Sequence, residues 1–161
     1  MNNVNFYRSS NNSLSVLILG IPVSESNHHV YSEKLVQDLN NEKNNLGITY
    51  IKILKQEDID YSKIQSLREK GVVVSSDIIL DKNYFDVVIF VDTPEKILQA
   101  RGLKVVVDND AWNYFKKSYR INKFVNDNSY KKIFSVNKVI DNQTYDKLWT
   151  TFNEVINKFL S

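Results

Sequence analysis

Continuous hydrophobic runs, separated by segments with helical spacing, organise this chain. Residues 16–19 and the centre of residues 86–92 are apolar throughout, which is typical of strands buried on both faces. Residues 72–74 form a shorter run of the same kind, and residues 136–140 another. Residues 48–54 alternate β-branched and polar side chains. The pattern therefore predicts about five strands.

Helical spacing fills the intervals between these runs. Apolar side chains recur three or four positions apart over residues 30–39, 60–70, 110–124 and 145–160. Asp60 or Ser62 could cap the second of these helices. A further helix start is marked by Thr93 as cap, Pro94 at the first helical position and Glu95 in the first turn. The elements therefore alternate between strand and helix.

This alternation predicts an α/β fold. Because apolar strands need cover on both faces, we expect three-layer α/β/α order around a parallel sheet of about five strands. Right-handed crossovers put the carboxyl ends of parallel strands at one edge, where open α/β sheets bind their ligands. That edge should collect residues 20–29, 56–58, 75–77 and 92–93.

Composition and charge narrow the class of protein. The 161 residues are 42% hydrophobic, which suits one domain, assigned to residues 14–161 after a polar segment at residues 1–13. Twenty-one basic and 19 acidic residues leave a net charge of +2, which indicates neither nucleic acid nor a membrane as partner. The lack of cysteine excludes disulfides and thiolate metal sites. We expect a cytoplasmic protein, since the polar amino end does not look like a signal peptide.

The tract GVVVSSDIILDKNYFDVVIFVDTPEKILQAR resembles the second half of uridine kinases and of their phosphoribulokinase-type relatives. There, a strand of the IFVDTP type precedes a helix that leads to the arginines of a lid. The segments NKFV and KKIFSVNKVIDN are similar to a later helix and the final strand, and VIDN also resembles dephospho-coenzyme A kinases. The resemblance implies a P-loop nucleoside triphosphate hydrolase-like fold. It also implies transfer of the terminal phosphate of ATP, with Mg²⁺, to a small hydroxyl-bearing metabolite.

The segment GIPVSESNHHVYSEKL stands where that family has a glycine-rich loop ending in Gly-Lys-Ser/Thr. The resemblance implies that nucleotide-binding residues lie among Gly20, Ser24, Ser26, Asn27, His28 and His29. Asn27, His28 and His29 replace the glycine, lysine and hydroxyl, and the Glu25 carboxylate would repel a phosphate. The residues alone favour a polar turn with a helix cap at Ser26 or Asn27.

The two adjacent histidines also raise the question of a metal site. Neighbouring residues of a helix point in different directions, and the sequence shows no further ligands for His28 and His29. We therefore predict no metal site.

Three further positions are catalytic candidates through the resemblance. The stretch ILKQEDID resembles a strand end at which one Asp takes the proton of the acceptor hydroxyl, so Glu57 or Asp58 fills that place. Asp77 follows the position of a strand-end Glu, and Arg101 stands where lid arginines clamp phosphates. Each also has a structural explanation, as a loop, cap or surface residue.

Three functions follow from these observations. The first is a degenerate uridine kinase-like pseudoenzyme with weak or lost phosphotransfer and a binding or scaffolding role, because the lysine is missing. The second is an active kinase of a nucleoside-like or coenzyme-like metabolite, with Asp58 as base. The third is a non-enzymatic interaction module, such as a homodimer formed through the aromatic segment that contains Trp112 and Tyr119. The expected small ligand is a phosphate or nucleotide.

Overall fold

The computed structural model describes residues 14–41, 47–104, 131–135 and 141–160. Its strands are β1 (Ser15–Gly20), β2 (Thr49–Ile53), β3 (Val72–Ser76), β4 (Val87–Asp92) and β5 (Lys131–Ser135). They pair in the order β2-β3-β1-β4-β5, and every pairing is parallel. The predicted α/β fold with an all-parallel sheet is confirmed. The strand predicted at residues 136–140 lies outside the described residues.

The described helices are α1 (His28–Asn40), α2 (Tyr61–Leu67), α3 (Glu95–Ala100) and α4 (Asp141–Leu160). Of the two caps that the sequence offered for α2, Asp60 and Ser62, Asp60 is the one that forms, since its carboxylate accepts a hydrogen bond from the Lys63 N–H. The start of α3 is one residue later than predicted, because Pro94, not Thr93, is the N-cap. The helix predicted at residues 110–124 lies outside the described residues.

Helices cover both faces of the sheet. Along β1, Val16 and Ile18 belong to the hydrophobic cluster under α1 and α4, whereas Leu17 and Leu19 belong to the cluster under α2 and α3. Every side chain of β1 is buried. This arrangement is compatible with three-layer α/β/α order and explains why β1 reads as a continuous hydrophobic run.

Helices α1 and α4 also share a polar contact. The Tyr145 hydroxyl donates a 2.6 Å hydrogen bond to the Asp38 carboxylate, and the Lys34 ammonium lies 4.3 Å from the centre of the Tyr145 ring. Burial and the neighbouring Asp38 charge both raise the pKa of Tyr145. The phenol therefore stays protonated and continues to donate.

The strand register determines which residues meet at the carboxyl edge. Ile18 pairs with Ser75 in β3, and Ser75 in turn pairs with Lys52 in β2. The loop that follows Gly20 therefore emerges beside the end of β3.

None of the helices in the described ranges is both long and apolar enough to cross a bilayer.

Candidate functional site

The loop between β1 and α1 folds back on itself. It contains a single 3-10 turn, Ser24–Ser26, followed by Asn27 in the left-handed region with a φ of 58°. The Ser26 N–H donates to the Val23 carbonyl at 3.1 Å, and the Asn27 N–H donates to the Ser24 carbonyl at 3.1 Å. These two N–H groups are therefore directed at the loop's own carbonyl groups and not at a common point outside the loop.

The His28 imidazole fills the space beside the end of β1. A Cβ added at Gly20 would lie 2.2 Å from His28 Cγ, so this ring position requires glycine at the end of the strand. The His28 side chain is 1% exposed. Burial lowers the pKa of His28, and the neighbouring His29 lowers it further, although Asp77 acts in the opposite direction. We conclude that His28 is held as a neutral imidazole.

The Ser26 hydroxyl defines the tautomer of that imidazole. Ser26 Oγ lies 2.9 Å from the carbonyl oxygens of both Ile21 and Val23, and 2.5 Å from His28 Nδ1. A hydroxyl has one proton, and the two carbonyl oxygens can only accept. When the Ser26 proton is directed at one of these carbonyls, Ser26 Oγ accepts a hydrogen bond from His28 Nδ1–H. In neutral His28 this leaves a lone pair on Nε2.

His29 is held by a second set of hydroxyl groups. Its Nδ1 lies 2.5 Å from Ser75 Oγ, which lies 2.6 Å from the Tyr50 hydroxyl oxygen. The Tyr50 hydroxyl can also donate to the His29 carbonyl oxygen at 3.3 Å. Burial raises the pKa of Tyr50, so that its hydroxyl remains a donor. The group connects α1 with both β2 and β3.

Asp77, immediately after β3, contacts both histidines. The Nε2 atoms of His28 and His29 each lie 2.8 Å from Asp77 Oδ1. The His29 contact is aligned as a hydrogen bond. Although His28 Nε2 is equally close, its direction is unsuitable, and it has no hydrogen-bond partner among the described residues. Burial alone would raise the pKa of Asp77, but the two histidines outweigh it and hold this pKa at about 2.

A cleft of about 240 Å³ opens beside this cluster. Its polar lining includes His28, His29, Asp77 and Lys52. Its apolar lining is Pro22, Val23, Val30 and Leu54. Among the described residues, the large hydrophobic side chains that stand exposed are Val30, at 62%, and Leu54, at 50%. Both line the cleft, so its rim combines exposed apolar surface with polar groups in the interior.

Glu57 and Asp58, the predicted catalytic residues that follow β2, do not line this cleft. The Asp58 carboxylate accepts hydrogen bonds from the Leu54 N–H, at 3.1 Å, and the Lys55 N–H, at 3.2 Å. It therefore caps its own turn, which was the structural alternative for this position. Glu57 is exposed in the same turn.

The remaining predicted residues surround the loop. The Arg101 guanidinium donates to the Glu25 carbonyl oxygen at 3.0 Å and to the Thr144 hydroxyl at 3.3 Å, so it links the loop to α4. The Ser24 hydroxyl donates to the Glu25 carboxylate, at 2.9 Å and 3.0 Å from its two oxygens. The roles predicted for these residues in nucleotide binding stay predictions.

Two features of the cluster were not predicted from the sequence. One is the Tyr50 hydroxyl, and the other is the contact between Ser75 Oγ and His29 Nδ1. The alternation of side chains along parallel strands was the available signal: Ser75 lies at the predicted carboxyl edge and pairs with Lys52, and Tyr50 lies two positions before Lys52, on the same face of β2. Asp77 is a further potential metal ligand that the spacing of the sequence does not reveal. His28 and His29 do start in different directions, but Asp77 lies where both rings can reach it.

Comparison with known proteins adds no family assignment. No protein-family model matches the chain, and no curated protein matches it significantly.

Proposed function

We propose that this domain is a uridine kinase-like P-loop protein that has lost phosphotransfer and now binds a small ligand in the cleft beside β1 and β3. One observation carries the proposal: His28 and Ser26 occupy the interior of the loop. In a phosphate-binding loop that space belongs to the anion, which backbone N–H groups surround. Here an imidazole and a hydroxyl take its place.

The charges near the loop support the loss of phosphotransfer. Lysine is replaced by a histidine whose pKa is lowered by burial, so the position carries no permanent positive charge. Glu25 adds a carboxylate to the same turn. Arg101 donates to the loop backbone and to Thr144. Removal of the positive charge that stabilises a transferring phosphoryl group typically lowers the rate by orders of magnitude.

The lining of the cleft indicates the chemistry of the ligand. Val30 and Leu54 present apolar surface at the rim, and Lys52, His29 and Asp77 present polar groups. The volume of about 240 Å³ is slightly below that of sites for drug-sized molecules. The ligand we propose is therefore a small molecule with one apolar part and one polar or anionic part.

The loss of phosphotransfer is tested with Mg·ATP. We expect the melting temperature to be unchanged at millimolar Mg·ATP, since a ligand at 100 times its dissociation constant would add about 2.7 kcal/mol to the free energy of unfolding. We also expect no transfer of labelled phosphate to nucleosides or to pantetheine-containing acceptors. Transfer that disappears in Asp58→Asn would instead establish the active kinase.

The cleft is tested with 8-anilinonaphthalene sulfonate, a probe that joins an aromatic system to an anion. We expect its fluorescence on the folded protein to fall at least several-fold in Val30→Ser and in Leu54→Ser. Ile79→Ser, which changes a partly buried residue that does not line the cleft, is the matched control. Equal binding by all four proteins would show that the probe, and by inference a ligand of this kind, does not use the cleft.

A further inference from the structure

Two imidazole nitrogens and one carboxylate oxygen converge at the carboxyl edge of the sheet. The three atoms are His28 Nε2, His29 Nε2 and Asp77 Oδ1, and all lie within 4.8 Å of one another. We propose that they bind a divalent transition-metal ion, with Zn²⁺ as the best fit. This inference does not depend on the proposed loss of phosphotransfer, since it rests on the positions of two imidazoles and a carboxylate and not on whether a nucleotide binds.

The first argument is the orphaned nitrogen of His28. In the tautomer in which Ser26 accepts the Nδ1 proton, Nε2 carries a lone pair, and this buried atom makes no well-aligned hydrogen bond among the described residues. A carboxylate oxygen, Asp77 Oδ1, lies 2.8 Å from His28 Nε2. Two electron-rich atoms at this distance repel each other unless a proton or a metal ion lies between or beside them. A metal ion would supply that cation.

The second argument is the hydroxyl chain behind His29. Without metal, His29 Nε2–H can donate to Asp77 while Nδ1 accepts from the Ser75 hydroxyl. When the hydroxyl protons rotate, Nδ1–H donates to Ser75, Ser75 donates to Tyr50, and Tyr50 donates to the His29 carbonyl oxygen. All donors are then satisfied, and His29 Nε2 has a lone pair. Both arrangements hold the same number of protons: Nε2 gives its proton to solvent, Nδ1 takes one up from solvent, and no heavy atom has to move.

These partners behave like the outer shell of a metal site. Metal-binding histidines usually donate their other N–H to an oxygen, which fixes the tautomer and the orientation of the ring. Ser26 does this for His28, and Ser75 can do it for His29. The missing side chain of Gly20 leaves the space against β1 that the His28 ring occupies.

The donor set determines the class of ion. Imidazole and carboxylate ligands favour Zn²⁺ and related first-row ions over Mg²⁺ and Ca²⁺, which prefer oxygen. An ion about 2.0–2.2 Å from each atom would separate the ligand atoms by roughly 3.3 Å in a tetrahedron. Asp77 would therefore move by about half an ångström from its 2.8 Å contacts. Three protein ligands leave a fourth position, and the cleft that all three residues line gives it access to solvent.

The experiment is a Zn²⁺ titration of the untagged chain, followed by calorimetry. The chain has two histidines and no cysteine, so imidazole-dependent zinc binding can involve no other histidine. We expect one ion per chain, and affinity at least about tenfold weaker in His29→Gln and in Asp77→Asn. Asp60→Asn is the matched control, since it removes an exposed carboxylate but keeps a good helix cap. It should bind like the wild type.

A second measurement needs no variant and therefore does not depend on how well a variant folds. In the ¹⁵N spectrum of the imidazoles, Zn²⁺ should shift the Nε2 signals of both histidines, while both Nδ1 atoms keep their protons. Zinc binding of equal strength in His29→Gln and Asp77→Asn would overturn the proposal. So would unshifted Nε2 signals at saturating Zn²⁺. Both readouts, the zinc affinities of the variants and the ¹⁵N signals of the imidazoles, test the metal site whether or not the protein also binds Mg·ATP.

Discussion

Two partly buried aspartates lie at opposite edges of the sheet, Asp86 beside an arginine and Asp77 beside two histidines. At the amino edge, Asp86 accepts hydrogen bonds from the Ser15 N–H at 2.9 Å and from Arg68 Nε at 3.0 Å, and its second oxygen pairs with Arg68 Nη2. At the carboxyl edge, Asp77 faces two imidazoles, one of which is misaligned. The exposed fractions are similar, at 12% for Asp86 and 19% for Asp77.

The difference lies in the kind of cation that each carboxylate meets. Arginine is charged at every accessible pH and fits a carboxylate with two parallel hydrogen bonds. Histidine is charged only when it is protonated, and otherwise offers a lone pair to metals. The amino edge is therefore complete without a ligand and stabilises the fold. The carboxyl edge is completed by a proton or a bound cation, which is typical of a binding site.

The largest expected effect comes from Gly20→Ala, which tests whether the carboxyl edge is built around the His28 ring. The added Cβ would lie 2.2 Å from His28 Cγ, so the ring or the strand must move. We expect a loss of about 3 kcal/mol in the free energy of unfolding, measured with urea. Gly47→Ala is the control. Its Cβ would meet nothing within 4 Å, so the cost is limited to the positive φ, about 1 kcal/mol.

The Gly20 prediction has a double-mutant check. If the clash with His28 causes the loss, Gly20→Ala combined with His28→Ala should cost less than the sum of the two single changes. Additive costs would mean that the strand end, not the imidazole, requires the glycine.

The next effect separates the two aspartates by their response to Zn²⁺. At 100 times the dissociation constant, the ion should add about 2.7 kcal/mol to the stability of the wild type. Asp86→Asn should lower the baseline stability but keep this increment, because Asp86 lies at the far edge of the sheet. At the same Zn²⁺ concentration, Asp77→Asn should lose at least about half of the increment, because tenfold weaker binding leaves about 1.4 kcal/mol. Thermal unfolding with and without Zn²⁺ measures both, and an increment of equal size in the two variants would remove the distinction drawn between the edges.

A smaller effect tests the amino edge alone. Arg68→Met keeps much of the aliphatic packing but leaves the Asp86 carboxylate with its charge unpaired. Because Asp86 is 12% exposed and Arg68 is 38% exposed, the cost should lie between those of buried and surface pairs, at about 2 kcal/mol in urea unfolding. Zinc affinity should not change. A cost below about 0.5 kcal/mol would show that water replaces the guanidinium easily.

The fold could be predicted further than the site. Continuous apolar runs identify β1 and β4 because both faces of these strands are covered, and Asp60 identifies the start of α2 because a cap has a local signature. The carboxyl edge of a parallel sheet correctly places the 20–29 segment beside residues 75–77. The convergence of His28 on Asp77 is not local. It depends on the missing Cβ of Gly20 and on the left-handed turn at Asn27, neither of which sequence spacing describes.

The smallest expected effect concerns the hydroxyl chain that makes the carboxyl edge adaptable. Tyr50→Phe removes the group that links Ser75 to the His29 carbonyl oxygen. The free energy of unfolding should fall by about 1 kcal/mol, as for one hydrogen bond. Zinc affinity should fall by about tenfold, because the Nδ1 tautomer of His29 loses support. Tyr84→Phe, at a partly buried ring stacked on Tyr61, is the control and should bind zinc like the wild type. Unchanged zinc affinity in Tyr50→Phe would show that Ser75 alone fixes the His29 tautomer, so that the chain of hydroxyl groups would be a structural contact only.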